Sequence, residues 1–296
     1  MKNWIQAARL RTLPLSISGI IVGSAYAYYQ NQFDWKIFVL AVATTLSFQI
    51  LSNFANDYGD GIKGTDENRI GEKRLVASGE VSALQMKKAV QIMGIVSFVF
   101  ALVLIYISFG KANFLYSLVF LLLGIASIVA AIKYTVGKKA YGYSGLGDVF
   151  VFIFFGLVAV LGSNFLYTKT LDWRLTLPAV SIGLLATAVL NLNNMRDIEN
   201  DKKAGKNTLV VKMGLKWAKT YQEVILASGM VCFMVFALLL NTSLTPVLIV
   251  NIPIIKHMGK VRKAEKYEDF EPELKKVALS TFALSILFWI TIVFLN

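Results

Sequence analysis

The sequence predicts an all-α integral membrane protein of about nine transmembrane helices, and three observations carry that prediction. Apolar stretches near twenty residues long recur from one end of the chain to the other, which is the length a helix needs to cross a bilayer core. Hydrophobic residues make up 56% of the 296 and charged ones only 16%, against roughly half and a quarter in soluble domains. The lysines and arginines, finally, are crowded into alternate loops.

Taken in order, the spans fall at about 13–30, 36–55, 86–108, 113–133, 146–167, 174–194, 219–240, 244–258 and 274–295. The first follows a basic N-terminus and is too long for a signal peptide, with no small-residue cleavage site; it reads as a retained span. Ser82 and Gln85 form a capping box that opens the third. The sixth ends in Asn191, Asn193 and Asn194, and the eighth is short and carries Pro253, so a kink or tilt is expected there. The whole of residues 1–296 reads as one membrane-embedded domain, with long loops at about 56–85 and 194–218. Cys232 is the only cysteine, which excludes an intramolecular disulfide, and the single histidine, His257, ends a span as an interfacial residue.

Basic residues set the orientation. The N-terminus and the loops after spans two, four, six and eight hold 26 of the 30 lysines and arginines; Lys36, Lys111, Lys169 and Arg174 are the rest. That places the N-terminus and these loops in the cytoplasm. It also explains the net charge of +12 without nucleic acid as a partner; the partner implied is the lipid bilayer.

Two acidic motifs lie in the basic loops. In NFANDYGDGIKGTD, residues 53–66, Asn53, Asn56, Asp57 and Asp60 stand at i, i+3, i+4 and i+7, so a helix continuing from span two presents them as one stripe. Gln49 extends the stripe inward, and Gly59, Gly61 and Gly64 let the chain turn so that Asp66 folds back. In NNMRDIENDKKAGK, residues 193–206, Asn194, Asp197 and Asp201 repeat the spacing, with Asn193 one turn before Asp197. Both motifs contain N-x-x-x-D and lie four spans apart, which is consistent with a duplicated four-helix unit whose acidic ends face each other.

Carboxylates converging on one cavity repel unless a cation stands between them. Oxygen donors without a histidine or cysteine cluster point to Mg²⁺, which is completed by waters and substrate phosphates. Lys73 and Arg74, Lys138 and Lys139, and Lys202, Lys203 and Lys206 are at hand to neutralise phosphate charge. The expected ligand is therefore a diphosphate with a lipid tail, the head on Mg²⁺ and the tail among apolar helices. A solvated loop is the plain alternative for either motif alone; recurrence at two span ends argues for function. Tyr134 and Tyr143 stand at the boundary as candidate cavity residues. A cation transporter would place its acids near mid-membrane, whereas here the deepest residue of the stripe is uncharged Gln49. A CDP-alcohol phosphotransferase would need D-G-x-x-A-R, and Asp60-Gly61 is followed by Ile62-Lys63-Gly64-Thr65.

At these residues the chain resembles the UbiA-type intramembrane aromatic prenyltransferases, a nine-helix family with aspartate-rich motifs after spans two and six. NDYGDGIKGTD, RLVASGEVS, GLGDVFVFIFFGLVAVLG and NNMRDIENDKKAGKNTLVVKMG are similar to the branch acting on 1,4-dihydroxy-2-naphthoate in menaquinone synthesis. The resemblance implies Asp57, Asp60, Asp66, Asp197 and Asp201 as Mg²⁺ ligands, with Asp60, Asp197 and Asp201 central to catalysis. It implies Asn56, Asn193, Asn194, Arg74 and Lys206 at the diphosphate, and Lys138 through the Y-x-x-x-K pattern from Tyr134. It further implies an all-trans polyprenyl diphosphate donor, loss of CO₂ and diphosphate, a demethylmenaquinone product and a bacterial inner-membrane location. Members acting on 4-hydroxybenzoate, homogentisate or protohaem are the nearest alternative. ARLRTLP departs from the family where an R-P pair is common, which leaves Arg9 unassigned.

Overall fold

The computed structural model describes residues 2–65, 71–243 and 245–295 and is helical throughout, with no strand among the described residues. A short α1 (Lys2–Ala8) and a tight turn at Leu10–Thr12 precede α2 (Leu13–Tyr29), α3 (Trp35–Ile62), α4 (Ala83–Phe109) and α5 (Phe114–Lys133). The next span is composite. It opens as α6 (Gly147–Val151), widens into a π-helical segment over Phe152–Gly162 and closes as α7 (Ser163–Thr168). Then come α8 (Thr176–Arg196), the short α9 (Ile198–Lys203), α10 (Leu209–Leu239), α11 (Thr245–Lys263) and α12 (Phe270–Leu295).

Among the described residues, seven helical stretches are long and apolar enough to cross a bilayer. They correspond to seven of the expected spans. The first and eighth are helices as well, but α2 has only 17 residues, and α11 ends in Lys260, Arg262 and Lys263 and carries Pro253 inside it. Large apolar side chains such as Ile95, Tyr106, Phe114, Leu115, Leu122 and Ile255 lie exposed along the helix flanks, a surface suited to lipid. The helices differ in burial. Two-thirds of the apolar stretch of α8 is buried, against 6% for that of α5, so α8 forms the axis of the bundle and α5 lies at its lipid face.

Local chemistry fixes the ends that matter. Ser82 and Gln85 cap α4 reciprocally, at 3.2 Å from the Gln85 amide to Ser82 Oγ and 3.0 Å from the Ser82 amide to Gln85 Oε1, as the sequence predicts. Gly59 is forced by packing: a Cβ there would lie 2.5 Å from Thr135 Oγ1 and 2.8 Å from its backbone carbon. The end of α3 therefore sits directly on the loop that follows α5. Gly156 allows the same approach between the π segment and α8, where a Cβ would meet the Ala179 carbonyl at 2.5 Å. Small residues at such crossings are how membrane helices gain close van der Waals contact.

His257 is buried between helices, at 1% exposure, with Nδ1 2.8 Å from Glu273 Oε2 and Nε2 3.3 Å from Gln222 Nε2. Polar partners on α10 and α12 let a histidine sit in the core of this half of the bundle.

Candidate active site

α3 continues through the first motif, and this determines which of its polar residues meet the cavity. Gln49, Ser52, Asn56 and Asp60 line a cavity of about 350 Å³; their spacing of three to four residues keeps them on one face. Asn53 and Asp57 lie beside that stripe and serve other ends. Asn53 Nδ2 donates to the Ala8 carbonyl at 2.8 Å and to Thr12 Oγ1 at 3.1 Å. The Asp57 carboxylate accepts the Leu75 amide at 3.1 Å and the Val76 amide at 2.9 Å. Asp57 thus holds the RLV segment against α3, and that grip delivers Arg74 to the cavity.

Asp60 is buried at 2% exposure and surrounded by groups from distant parts of the chain. Its Oδ1 accepts the Tyr143 hydroxyl at 2.8 Å. Its Oδ2 lies 3.9 Å from Arg74 Nη2 and 3.9 Å from Lys206 Nζ, close enough for ion pairing but longer than a direct hydrogen bond. Lys206 Nζ is also 3.6 Å from Asp201 Oδ1. One ammonium therefore bridges an acid of the first motif and an acid of the second. The two loops are joined again where Asn200 Nδ2 donates to the Thr65 carbonyl at 2.7 Å, and the second loop also meets the segment between α5 and α6, where the Asn207 amide donates to the Tyr143 carbonyl at 3.1 Å. The acidic ends do meet.

Tyr143 is central to this junction. Its hydroxyl lies 2.6 Å from Thr65 Oγ1, and its ring carries Lys63 Nζ at 3.8 Å and Lys206 Nζ at 5.6 Å, a cation–π arrangement. Burial, then the neighbouring Asp60 charge, pushes its phenol well above the ordinary value. Tyr134 lines the cavity, and burial lifts its phenol to about 12. Burial also lowers the Lys63 ammonium, opposed by Asp60.

The second motif is arranged differently. Asn193 lines the cavity, while Asn194, Asp197 and Asp201 are buried beside it. Asp197 is clasped by its neighbour: Arg196 Nε donates to Oδ1 and Nη2 to Oδ2, both at 2.7 Å. Arg196 Nη2 also donates to Asn193 Oδ1 at 2.6 Å. Of the other expected residues, Asp66 lies outside the described residues. Lys138 is exposed and does not line the cavity, nor do exposed Lys73, Lys139, Lys202 and Lys203. Arg9 does line it. Lys63 and Arg196 were not singled out in the sequence, although both sit inside the quoted motifs; a cation directly preceding a motif aspartate is a signal that could have found Arg196.

From this polar end the cavity runs into an apolar interior walled by Phe48, Leu104, Phe120 and the π segment. Val151, Phe154, Phe155, Val158, Ala159 and Gly162 all face it. Among the described residues, the polar head of the cavity is lined by the Asp60 carboxylate and by Arg9, Arg74 and Lys206, with Asp201 beside Lys206, and it is set on a hydrocarbon-like slot. Among the described residues no three Asp, Glu, His or Cys side chains form a ready metal cage. The donors suit Mg²⁺ nonetheless: they are hard oxygens, and Asp60 and Asp201 already converge on one cation, the Lys206 ammonium.

The UbiA prenyltransferase family model matches residues 16–287. The chain belongs to the UbiA prenyltransferase family. Over 293 residues it is 43% identical to a protein of Haemophilus influenzae named 1,4-dihydroxy-2-naphthoate octaprenyltransferase, covering 97% of this chain and 94% of that one. A protein of Escherichia coli with the same name is 46% identical over 237 residues, 79% of this chain and 76% of its own. In fold the chain is similar to a UbiA homologue from Archaeoglobus fulgidus solved with GPP and Mg²⁺, with a TM-score of 0.66 at 14% identity over 96% of this chain and 98% of that one. The family fold thus holds the two motif loops of this chain together at the mouth of one apolar cavity.

Proposed function

We propose that this protein transfers a polyprenyl group from an all-trans polyprenyl diphosphate to 1,4-dihydroxy-2-naphthoate, releasing diphosphate and CO₂ and giving the diol (reduced) form of demethylmenaquinone. The observation that carries the reading is the meeting of Asp60 and Asp201 around Lys206 at the head of an apolar cavity. The names of the relatives supply the acceptor. On this reading the protein works in the bacterial cytoplasmic membrane, and the distribution of its basic residues supports an orientation with the motif loops and the N-terminus on the cytoplasmic side.

Binding begins with charge. Arg9, Arg74 and Lys206 receive the diphosphate, and Asn56 and Asn193 offer amide groups at the same depth. Asp60, Asp201 and Asp197 would hold Mg²⁺, which supplies neutralisation of the diphosphate as a leaving group. Tyr143 holds Asp60 through its hydroxyl, and the Lys63 ammonium lies over the Tyr143 ring. The prenyl chain lies along the slot between α3, α4 and the π segment, where apolar walls keep water from the reacting carbon.

The C–O bond to diphosphate breaks as the charge on the departing oxygen is met by Arg74 and Lys206. The positive charge left on the allylic carbon is sheltered by aromatic faces lining the cavity, among them Tyr134, Tyr141, Phe150 and Phe154. The ring carbon of the acceptor that bears the carboxylate attacks; the new C–C bond forms, CO₂ departs with its C–C electron pair left on the ring, and a proton shift restores the aromatic diol.

The test is incubation of membranes carrying the protein with labelled prenyl diphosphate and either 1,4-dihydroxy-2-naphthoate or 4-hydroxybenzoate, with and without EDTA. Product from the naphthoate alone, lost with EDTA and restored by Mg²⁺, is the expected result. Product from 4-hydroxybenzoate alone would overturn the acceptor, and undiminished turnover in EDTA would overturn the metal.

A further inference from the structure

Arg196 is fully buried, and all three of its side-chain nitrogens are engaged. Two of them clasp Asp197 and one of these also reaches Asn193, while Nη1 donates to Glu271 Oε2 at the start of α12. Glu271 is remote from both motifs in sequence. Its other oxygen accepts Arg11 Nη1 at 2.6 Å, and Arg11 Nε is 2.7 Å from Glu72. A chain of alternating charge thus runs from Asp197 to the N-terminal turn and the loop that carries Arg74.

We propose that Arg196 and Glu271 are a positioning couple that sets how readily Asp197 exchanges its guanidinium partner for a divalent cation. This rests on the reading that such a cation works at this site. A buried guanidinium deprived of its only acid is costly, because its charge is left uncompensated in a low-dielectric surrounding. Here one guanidinium is shared by two carboxylates. When Asp197 turns to a cation, Arg196 remains neutralised by Glu271, and the exchange strands no buried charge. Without Glu271 the clasp on Asp197 becomes the only acid contact that Arg196 has on this face, and releasing it is penalised. Glu271 acts through Arg196, so the effect of losing it depends on Arg196 being present.

The experiment is a double-mutant cycle read by Mn²⁺ binding, followed through the paramagnetic resonance of free Mn²⁺ with purified full-length protein in detergent and no substrate. E271Q is expected to weaken Mn²⁺ binding about tenfold, and to change it less than about twofold in an R196Q background. Equal losses in both backgrounds would reduce Glu271 to a distant field and overturn the couple. Should R196Q fail to elute as a folded species by size exclusion, R196K serves as the background, since an ammonium cannot grip both carboxylates as the fork does. Absence of Mn²⁺ binding by the unmodified protein would instead overturn the metal reading on which the couple rests.

Discussion

The two acidic motifs share the spacing N-x-x-x-D, yet the residue just before each aspartate gives them opposite characters. Before Asp60 stands Gly59, which lets α3 press against Thr135. Asp60 is met by Tyr143, Arg74 and Lys206, which arrive from elsewhere in the chain, and its Oδ2 lies 3.9 Å from both of these cations. Before Asp197 stands Arg196, which binds both carboxylate oxygens at 2.7 Å. The first motif keeps its acid 3.9 Å from Arg74 and Lys206, and the second clasps its acid with the arginine that precedes it. Equal spacing places two aspartates at one cavity; the flanking residue decides how easily each gives itself to a ligand.

The sharpest way to break this comparison is to neutralise each aspartate without changing its shape. D60N is expected to lower prenyl transfer by roughly 10²–10³-fold, the scale on which removal of one charge-stabilising group acts, with membrane insertion intact. D197N is expected to lose comparable turnover. The two should differ in stability, since D197N leaves the buried Arg196 with Glu271 as its acid partner, whereas D60N weakens the 3.9 Å ion pairs to Arg74 and Lys206 and keeps an amide oxygen for the Tyr143 hydroxyl. Turnover in membranes and thermal unfolding in detergent measure both; normal activity in either variant would remove that residue from the site.

K206M follows. Lys206 is the one ammonium within 4 Å of an acid from each motif among the described residues. Its loss is expected to cost about 10²-fold in turnover and to raise the apparent KM for the prenyl diphosphate, because it serves both the meeting of the motifs and the receipt of phosphate. A change in kcat with KM untouched would confine it to the chemical step.

How much of this was legible in the sequence follows from the same residues. Helix periodicity and the length rule located the spans, and the alternation of basic loops placed both motifs on one side. The junction across Lys206 is what the paired stripes implied. Periodicity was too coarse at one point: residues 53, 56, 57 and 60 looked like one stripe, but at 100° per residue Asn53 and Asp57 turn onto the neighbouring face. There Asp57 spends both oxygens on the Leu75 and Val76 amides. The π segment was invisible because its composition is that of any apolar helix, and Glu271 because nothing local marks an acid whose partner lies 75 residues away.

Y143F sharpens the first motif from the side. The phenol orients Asp60 through one hydrogen bond while its ring supports Lys63 and Lys206; phenylalanine keeps the ring and loses the bond. A loss of about tenfold in turnover is expected, the worth of one hydrogen bond to a charged acceptor. The sign of the pH effect is fixed by the raised phenol. A tyrosine held above its ordinary value stays protonated across roughly pH 6 to 9, so the ratio of mutant to unmodified activity should be flat there. A ratio that falls steadily toward alkaline pH would mean that the phenol titrates and takes part directly.

The smallest effect separates charge that belongs to the site from charge that belongs to the membrane side. Lys138 sits four residues after Tyr134, in the register from which the family pattern would send it to the phosphate, yet its side chain is exposed and the cavity is lined by Tyr134 without it. Lys206 takes the position between the acids instead. Positive-inside placement accounts for Lys138 in full, since a cytoplasmic loop gathers lysines whatever the cavity needs. K138A is therefore expected to retain turnover and prenyl diphosphate KM within about twofold, as surface changes away from a site do. K206M measured alongside gives the contrast: two lysines from basic loops, one bridging the acidic motifs and the other exposed. A loss for K138A approaching that of K206M would show that the loop carrying it folds inward over bound diphosphate, and would extend the cationic head of the site beyond Arg9, Arg74 and Lys206.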